Sequence, residues 1–181
     1  MRAFLALDLP EEVRTYLKKV TEMLSKGEDG VKWVRTENQH LTLKFFGEIE
    51  EDLKEKIVLV MRRVAPKLHP IRVSLKSVEG FPKNTFARVI VITLSEGVEE
   101  VKGMFHILEE ELAREGFQRE EREFVPHITL GRRKGFRPLR TFAVDPIRFV
   151  FEDLVLYKST LTKEGPIYEP IFKLKLKERG A

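Results

Sequence analysis

Cysteine is absent from this 181-residue chain, which excludes disulfides, thiolate nucleophiles and cysteine-ligated metals. The same absence fits an intracellular protein, and a cytoplasmic location is expected. No apolar run approaches the roughly 18 residues of a membrane span, and the N-terminus lacks a signal-peptide pattern. No membrane partner is therefore expected. Neither G-x-x-x-x-G-K-[ST] nor G-x-G-x-x-G occurs, so no phosphate-cradling nucleotide loop is visible. The K-x-D-G string of a nucleotidyl-lysine ligase is also missing, since Lys26-Gly27-Glu28-Asp29-Gly30 is one residue too long. There is no H-E-x-x-H, and a zinc site would want a third histidine that the motif positions do not offer. No metal or other cofactor is expected.

What remains is the composition of a folded protein. Hydrophobic residues make up 42% and charged residues 34%, which reads as globular rather than disordered. The formal net charge of +4 mildly favours an anionic partner, nucleic acid first. No linker or low-complexity segment divides the chain, and one compact domain over residues 1–181 is expected.

Histidine is scarce, with four in all, yet two of them head the same pattern. His40-Leu41-Thr42-Leu43 and His127-Ile128-Thr129-Leu130 both sit in alternating apolar surroundings that read as β-strands. Side chains alternate sides along a strand, so His and Thr share one face while the two aliphatic residues share the other. Residues two apart lie roughly 6.5 Å from each other, close enough for both to touch one small ligand. His69, beside Pro70, and His106, next to core-facing Phe105, lack this context and are assigned structural or surface roles.

The elements around the motifs repeat. A strand over Arg2–Asp8 leads through Pro10 into an amphipathic helix over Glu11–Lys26. A short strand over Val31–Val34 precedes the first motif strand, Gln39–Phe46, which Gly47 is expected to break. A helix over Glu51–Ala65 and a strand over Ile71–Val78 come next. The chain then restarts with a strand over Phe86–Thr93, a helix over Glu96–Glu115 capped by Gly116, and the second motif strand, Val125–Leu130. Strands over Ile147–Tyr157 and Ile167–Leu176 complete it. Sliding by 85 positions lays Phe4 on Val89 and Glu11 on Glu96, and sliding by 87 lays His40 on His127 and Thr42 on Thr129. This pattern is read as a duplicated strand–helix–strand unit, its copies beginning near 2 and 86, with the second copy short of one helix. The expected fold is α+β and bilobal. Two pseudo-twofold-related lobes present central antiparallel sheets to a cleft, with the helices outside.

Such an axis would bring two imidazoles and two hydroxyls to one pocket. Imidazole titrates near 6.5, so one ring can accept a proton while the other gives one up. Flanking a phosphodiester, the pair can act as general base and general acid, each typically worth about 10²–10⁴ in rate. The threonine hydroxyls can donate to the non-bridging oxygens as charge builds. Nearby Lys44, Arg132, Arg133 and Lys134 could form a basic track for a nucleic-acid backbone. Phe45, Phe46, Phe81 and Phe86 are candidates to stack a terminal base, with Phe81, before Pro82, the one chosen.

These residues resemble the 2H phosphoesterases, in particular the branch of RNA 2′,3′-cyclic phosphodiesterases also called 2′–5′ RNA ligases. The resemblance covers nearly the whole chain. It runs through R-A-F-L-A-L-D-L-P at the start, His40-Leu41-Thr42-Leu43-Lys44-Phe45-Phe46-Gly47, Val125-Pro126-His127-Ile128-Thr129-Leu130-Gly131-Arg132 and Leu156-Tyr157-Lys158-Ser159. Lys158 departs from the pattern, standing where a small residue is expected. The resemblance implies metal-free opening of a terminal 2′,3′-cyclic phosphate to a 2′-phosphate. It makes His40 the proton donor to the departing 3′ oxygen, His127 the proton acceptor that activates water, and Thr42 and Thr129 phosphate-binding. It also matches Arg132 to a basic position after the second motif. The implied partner is RNA with a cyclic phosphate end, tRNA fragments included, with no obligate protein partner evident. Run in reverse, the same transfer would join such an end to a 5′-hydroxyl in a 2′–5′ bond. Two alternatives stay open: a non-catalytic module that binds RNA ends, and a phosphodiesterase for a small cyclic phosphate outside RNA.

Overall fold

A computed structural model describes residues 1–178 and shows an α+β protein with three α-helices and two antiparallel sheets. The first sheet has the order β10-β9-β1-β3, from strands Gly165–Lys175, Asp153–Thr162, Arg2–Leu7 and Leu41–Glu48. The second runs β2-β6-β5-β4-β7, from Val31–Trp33, His127–Arg137, Phe86–Glu96, Ile71–Lys83 and Phe142–Ala143, with β8 (Arg148–Phe151) also paired to β4. The run β9-β1-β3 in one sheet thus corresponds in place to β4-β5-β6 in the other. The motif strands β3 and β6 approach each other where the sheets meet.

Helices α1 (Glu11–Ser25), α2 (Glu51–Val64) and α3 (Val98–Arg114) cover the sheet faces turned away from the cleft. Each opens with two acidic residues, which favours the positive end of the helix dipole. Val13, Leu17, Ile57, Met61, Val101 and Leu108 from their apolar stripes join Leu5, Leu7, Leu41, Leu43, Ile128 and Leu130 in one buried core. Fully burying each such side chain stabilises the fold by about 1.5–3 kcal/mol. The aliphatic positions of both motifs therefore anchor their strands to the helices, and the histidine and threonine positions face the other way. At the end of α3, Gly116 (φ 95°) donates to Ala113 O and Phe117 donates to Leu112 O, a glycine cap of the expected kind.

Two expectations need correction. Gly47 does not end β3; it lies inside it with φ 70°, a left-handed backbone that suits glycine, next to a register shift between Ala3 and Phe4. The stretch Ile147–Tyr157 is not one strand. Glu152 separates β8, which pairs with β4 in the second sheet, from β9, which pairs with β1 in the first. Phe149 and Phe151 before it and Leu154 to Leu156 after it are apolar and buried, and that pattern alone did not show the crossing between sheets. Several strands also outrun their sequence signal: β4 to Lys83, β5 to Glu96 and β6 to Arg137.

Candidate active site

The motifs meet at a cleft of about 1070 Å³ between the two sheets. His40, Thr42, His127 and Thr129 all line it. Alternation delivers the His and Thr of each pair, and a shared irregularity then changes the facing of the residues after them. In β3, Thr42 lies opposite Ala6 and Lys44 opposite Leu5, which leaves Leu43 unpaired. In β6, Thr129 lies opposite Val91 and Gly131 opposite Ile90, which leaves Leu130 unpaired. One extra residue reverses the faces beyond it. Phe45 and Arg132, rather than Lys44 and Gly131, are thereby brought to the threonine side, and both border the cleft.

The expected basic residues divide on this point. Arg132 is exposed and lines the cleft. Lys44 borders it, but its ammonium turns to α3, 2.5 Å from Glu109 Oε1 and 2.9 Å from Gln118 O, at 6% exposure. Arg133 is 3% exposed, pairs with Glu28, and donates to the carbonyls of Ala87, Arg137 and Pro138. Lys44 and Arg133, expected among the substrate-binding residues, are thus both buried in ion pairs within the fold. Lys134 is exposed and outside the cleft lining. Phe81 lines the cleft, edge-on to His127 at 4.8 Å between ring centres. His69 and His106 are exposed and away from it. Lys158 lies opposite Ala3 in the first sheet and does not line the cleft.

Both motif histidines are held alike. His40 Nδ1 is 3.1 Å from Asn38 O, and His127 Nδ1 is 2.6 Å from Val125 O, each the carbonyl two residues back. A carbonyl only accepts, so each Nδ1 carries the proton and donates it, leaving Nε2 with the lone pair of the neutral ring. An aromatic ring also sits against each, Tyr157 at 4.5 Å from His40 and Phe81 against His127.

Their electrostatic surroundings differ. His40 Nε2 is 3.7 Å from Asp8 Oδ1, and that carboxylate pairs with Arg14 Nη2 at 2.5 Å. Arg14 also donates to the carbonyls of Thr36 and Glu37, in the turn that carries Asn38, so one side chain braces both partners of His40. Burial, reinforced by the Arg14 charge, lowers the His40 pKa to about 4 against the opposing pull of Asp8 and the Asn38 carbonyl. Opposite His127 in β5 stands Thr93, whose hydroxyl donates to Glu79 Oε2 at 2.9 Å. Burial also lowers the His127 pKa; the Val125 carbonyl opposes this and Arg132 adds to it. Desolvation pushes the Tyr157 and Tyr168 hydroxyls up, so both stay protonated donors.

Asp8, Arg14, Tyr157 and Tyr168 were not among the residues assigned to the site from sequence. Asp8 had a usable signal, as an acid closing an alternating apolar strand. Arg14, on an exposed-looking helix turn, had none. Among the described residues no group of three or more His, Asp or Glu side chains is placed to hold a metal ion. Among the same residues no helix is long and apolar enough to cross a membrane.

Known proteins match this chain over nearly its whole length. The family model for LigT-like phosphoesterases matches the chain twice, over residues 7–91 and 92–168. An RNA 2′,3′-cyclic phosphodiesterase of Methanocaldococcus jannaschii is 38% identical over 181 residues, covering 94% of this chain and 98% of its own. One from Thermotoga maritima is 33% identical over 178 residues, covering 96% and 94%. Among solved structures, TT0787 of Thermus thermophilus superposes with a TM-score of 0.86 at 28% identity, covering 99% of this chain and 100% of its own. E. coli LigT complexed with 3′-AMP superposes with a TM-score of 0.85 at 22% identity, covering 98% of each chain, a likeness of fold. With these matches spanning both motifs and both sheets, the chain belongs to the LigT-like phosphoesterase family.

Proposed function

We propose that the protein is an RNA 2′,3′-cyclic phosphodiesterase that opens a terminal cyclic phosphate to a 2′-phosphate. One observation carries the reading: two H-x-T-L motifs border the same cleft, with both imidazoles anchored through Nδ1 in the same way. In the proposed reaction His127 Nε2 takes a proton from water as its oxygen bonds to phosphorus. The bond from phosphorus to the 3′ oxygen breaks, and His40 Nε2 gives that oxygen its proton. Thr42 and Thr129 donate hydrogen bonds to the non-bridging oxygens, and the Arg132 guanidinium faces the charge that develops there.

The surroundings favour this division of labour. Among the described residues His40, and not His127, has a carboxylate beside Nε2, which supports an imidazolium. Burial and Arg14 keep the ring neutral in the free protein, so the donor takes up its proton when the anionic phosphate arrives. RNA ends left with a cyclic phosphate, cleaved tRNA among them, are the proposed substrates, and the cytoplasm is the proposed compartment. The repeated sheet order, the two bulged leucines and the double family match support descent from one duplicated unit within a single domain.

The test is incubation with an oligoribonucleotide ending in a 2′,3′-cyclic phosphate, followed by identification of the product end. A 2′-phosphate is expected, and lost turnover in folded His40→Ala and His127→Ala proteins. A 3′-phosphate product, or full activity in either variant, refutes the proposal.

A further inference from the structure

The cleft continues past the four motif residues to a feature the proposed chemistry does not use. Phe136, in β6, stacks on Phe86 at the start of β5, with 4.5 Å between ring centres and 9° between planes. Burial does not explain this pair, since Phe136 is 44% and Phe86 49% exposed. The Arg88 guanidinium lies 5.7 Å from the Phe136 ring centre and is held there by a bond from Nε to Arg133 O. Phe136 and Arg88 both border the cleft. Arg88, Arg132 and Lys134 are exposed, and among the described residues none has a carboxylate partner.

We infer that Phe136 and Arg88 form a stacking platform for a base upstream of the reacting nucleotide, so that the protein prefers an oligonucleotide to a mononucleotide. This inference rests on the cyclic phosphodiesterase reading and extends it to the length of the substrate. Distance assigns the base. Along β5 Arg88 lies five residues from Thr93, the partner of His127, which puts the platform's backbone roughly 16 Å of strand away from the histidine. The base on the reacting ribose cannot span that gap, whereas a base further along a single strand can. Aromatic rings and arginine planes are the two surfaces on which proteins stack unpaired bases, and here they occur together. The uncompensated charges of Arg88 and Arg132, both bordering the cleft, suit a polyanion running from the histidines to the platform.

The test compares a nucleoside 2′,3′-cyclic monophosphate with a tetranucleotide ending in the same group. In the unaltered protein kcat/KM is expected to be higher for the tetranucleotide. Phe136→Ala is expected to lower the ratio of tetranucleotide to mononucleotide kcat/KM about tenfold, and Phe136→Trp to restore it, as loss and return of one stacked base require. An unchanged ratio in Phe136→Ala overturns the platform. Anisotropy of a labelled tetranucleotide ending in a 2′-phosphate is measured alongside. Weaker binding to Phe136→Ala supports the platform even for a protein that turns over neither substrate, and equal binding overturns it. Absence of turnover on both substrates would refute the proposed reaction alone.

Discussion

Replacing His40 by glutamine is expected to remove a specific acid sensitivity of the fold. In the unfolded chain the imidazole titrates near 6.5, whereas in the folded protein burial and the Arg14 charge lower it to about 4. Between those values the unfolded state binds a proton that the folded state refuses, so stability falls as pH falls and the loss levels off below about 4. The side chain is only 3% exposed, so solvent screens little of this effect. Linkage over that window gives about 2.5 kcal/mol lost between pH 7 and pH 4.5 from this one residue. Urea unfolding of the original protein and of His40→Gln, each at both pH values, isolates it. Carboxylates common to the two proteins cancel in the difference. The original is expected to lose about 2–3 kcal/mol more than the variant on acidification. Parallel losses, within about 0.5 kcal/mol, would show that His40 is protonated as readily in the fold as outside it. That result would remove the basis for a donor that loads only when phosphate arrives.

Other consequences can be checked separately. Single His40→Ala and His127→Ala proteins are expected to lose about 10²–10⁴ in kcat with their thermal midpoints little changed, since each removes one proton transfer. Excess EDTA is expected to leave turnover intact, because each proton transfer in the proposed reaction is assigned to a side chain; chelator-sensitive activity restored by one metal would contradict that. The kcat/KM profile reports the free protein, where both imidazole pKa values lie below 6.5, so its maximum is expected on the acid side of 6.5 and a maximum above pH 8 would reject the assignment. Glu109→Gln leaves the Lys44 ammonium buried without its main counter-charge, and is expected to destabilise by about 3–5 kcal/mol in urea titrations. Pairing that change with Lys44→Met is expected to recover most of the loss. Arg132→Ala is expected to lower activity at unchanged stability and Arg133→Met the reverse; matching behaviour would mean that the bulge does not sort the two side chains.

Much of the fold was legible because its signals are local. The stripes of α1, α2 and α3 follow a helical period, and their boundaries fall within a residue or two of expectation. The two H-x-T-L strands announced both their faces. Long-range pairing was less visible. Gly47 carries the residue type of a strand breaker, yet its left-handed backbone serves a bulge inside β3. The buried residues around Glu152 read as one strand because hydrophobicity records burial and not which sheet does the burying.

The site shows the same division. Composition, periodicity and the repeated motif determined a cysteine-free α+β protein with two equivalent His/Thr pairs. Tertiary structure decided which cations are available. Lys44 and Arg133 looked like Arg132 in sequence, but the unpaired residues Leu43 and Leu130 turn the following side chains over, and Glu109 and Glu28 wait on the far side. It also decided that the His40 imidazole would be buried, with Asp8 and Arg14 placed beside it. The physical reason is that alternation is a property of one strand, whereas a bulge, an ion pair and a desolvated imidazole each depend on what another part of the chain places against it.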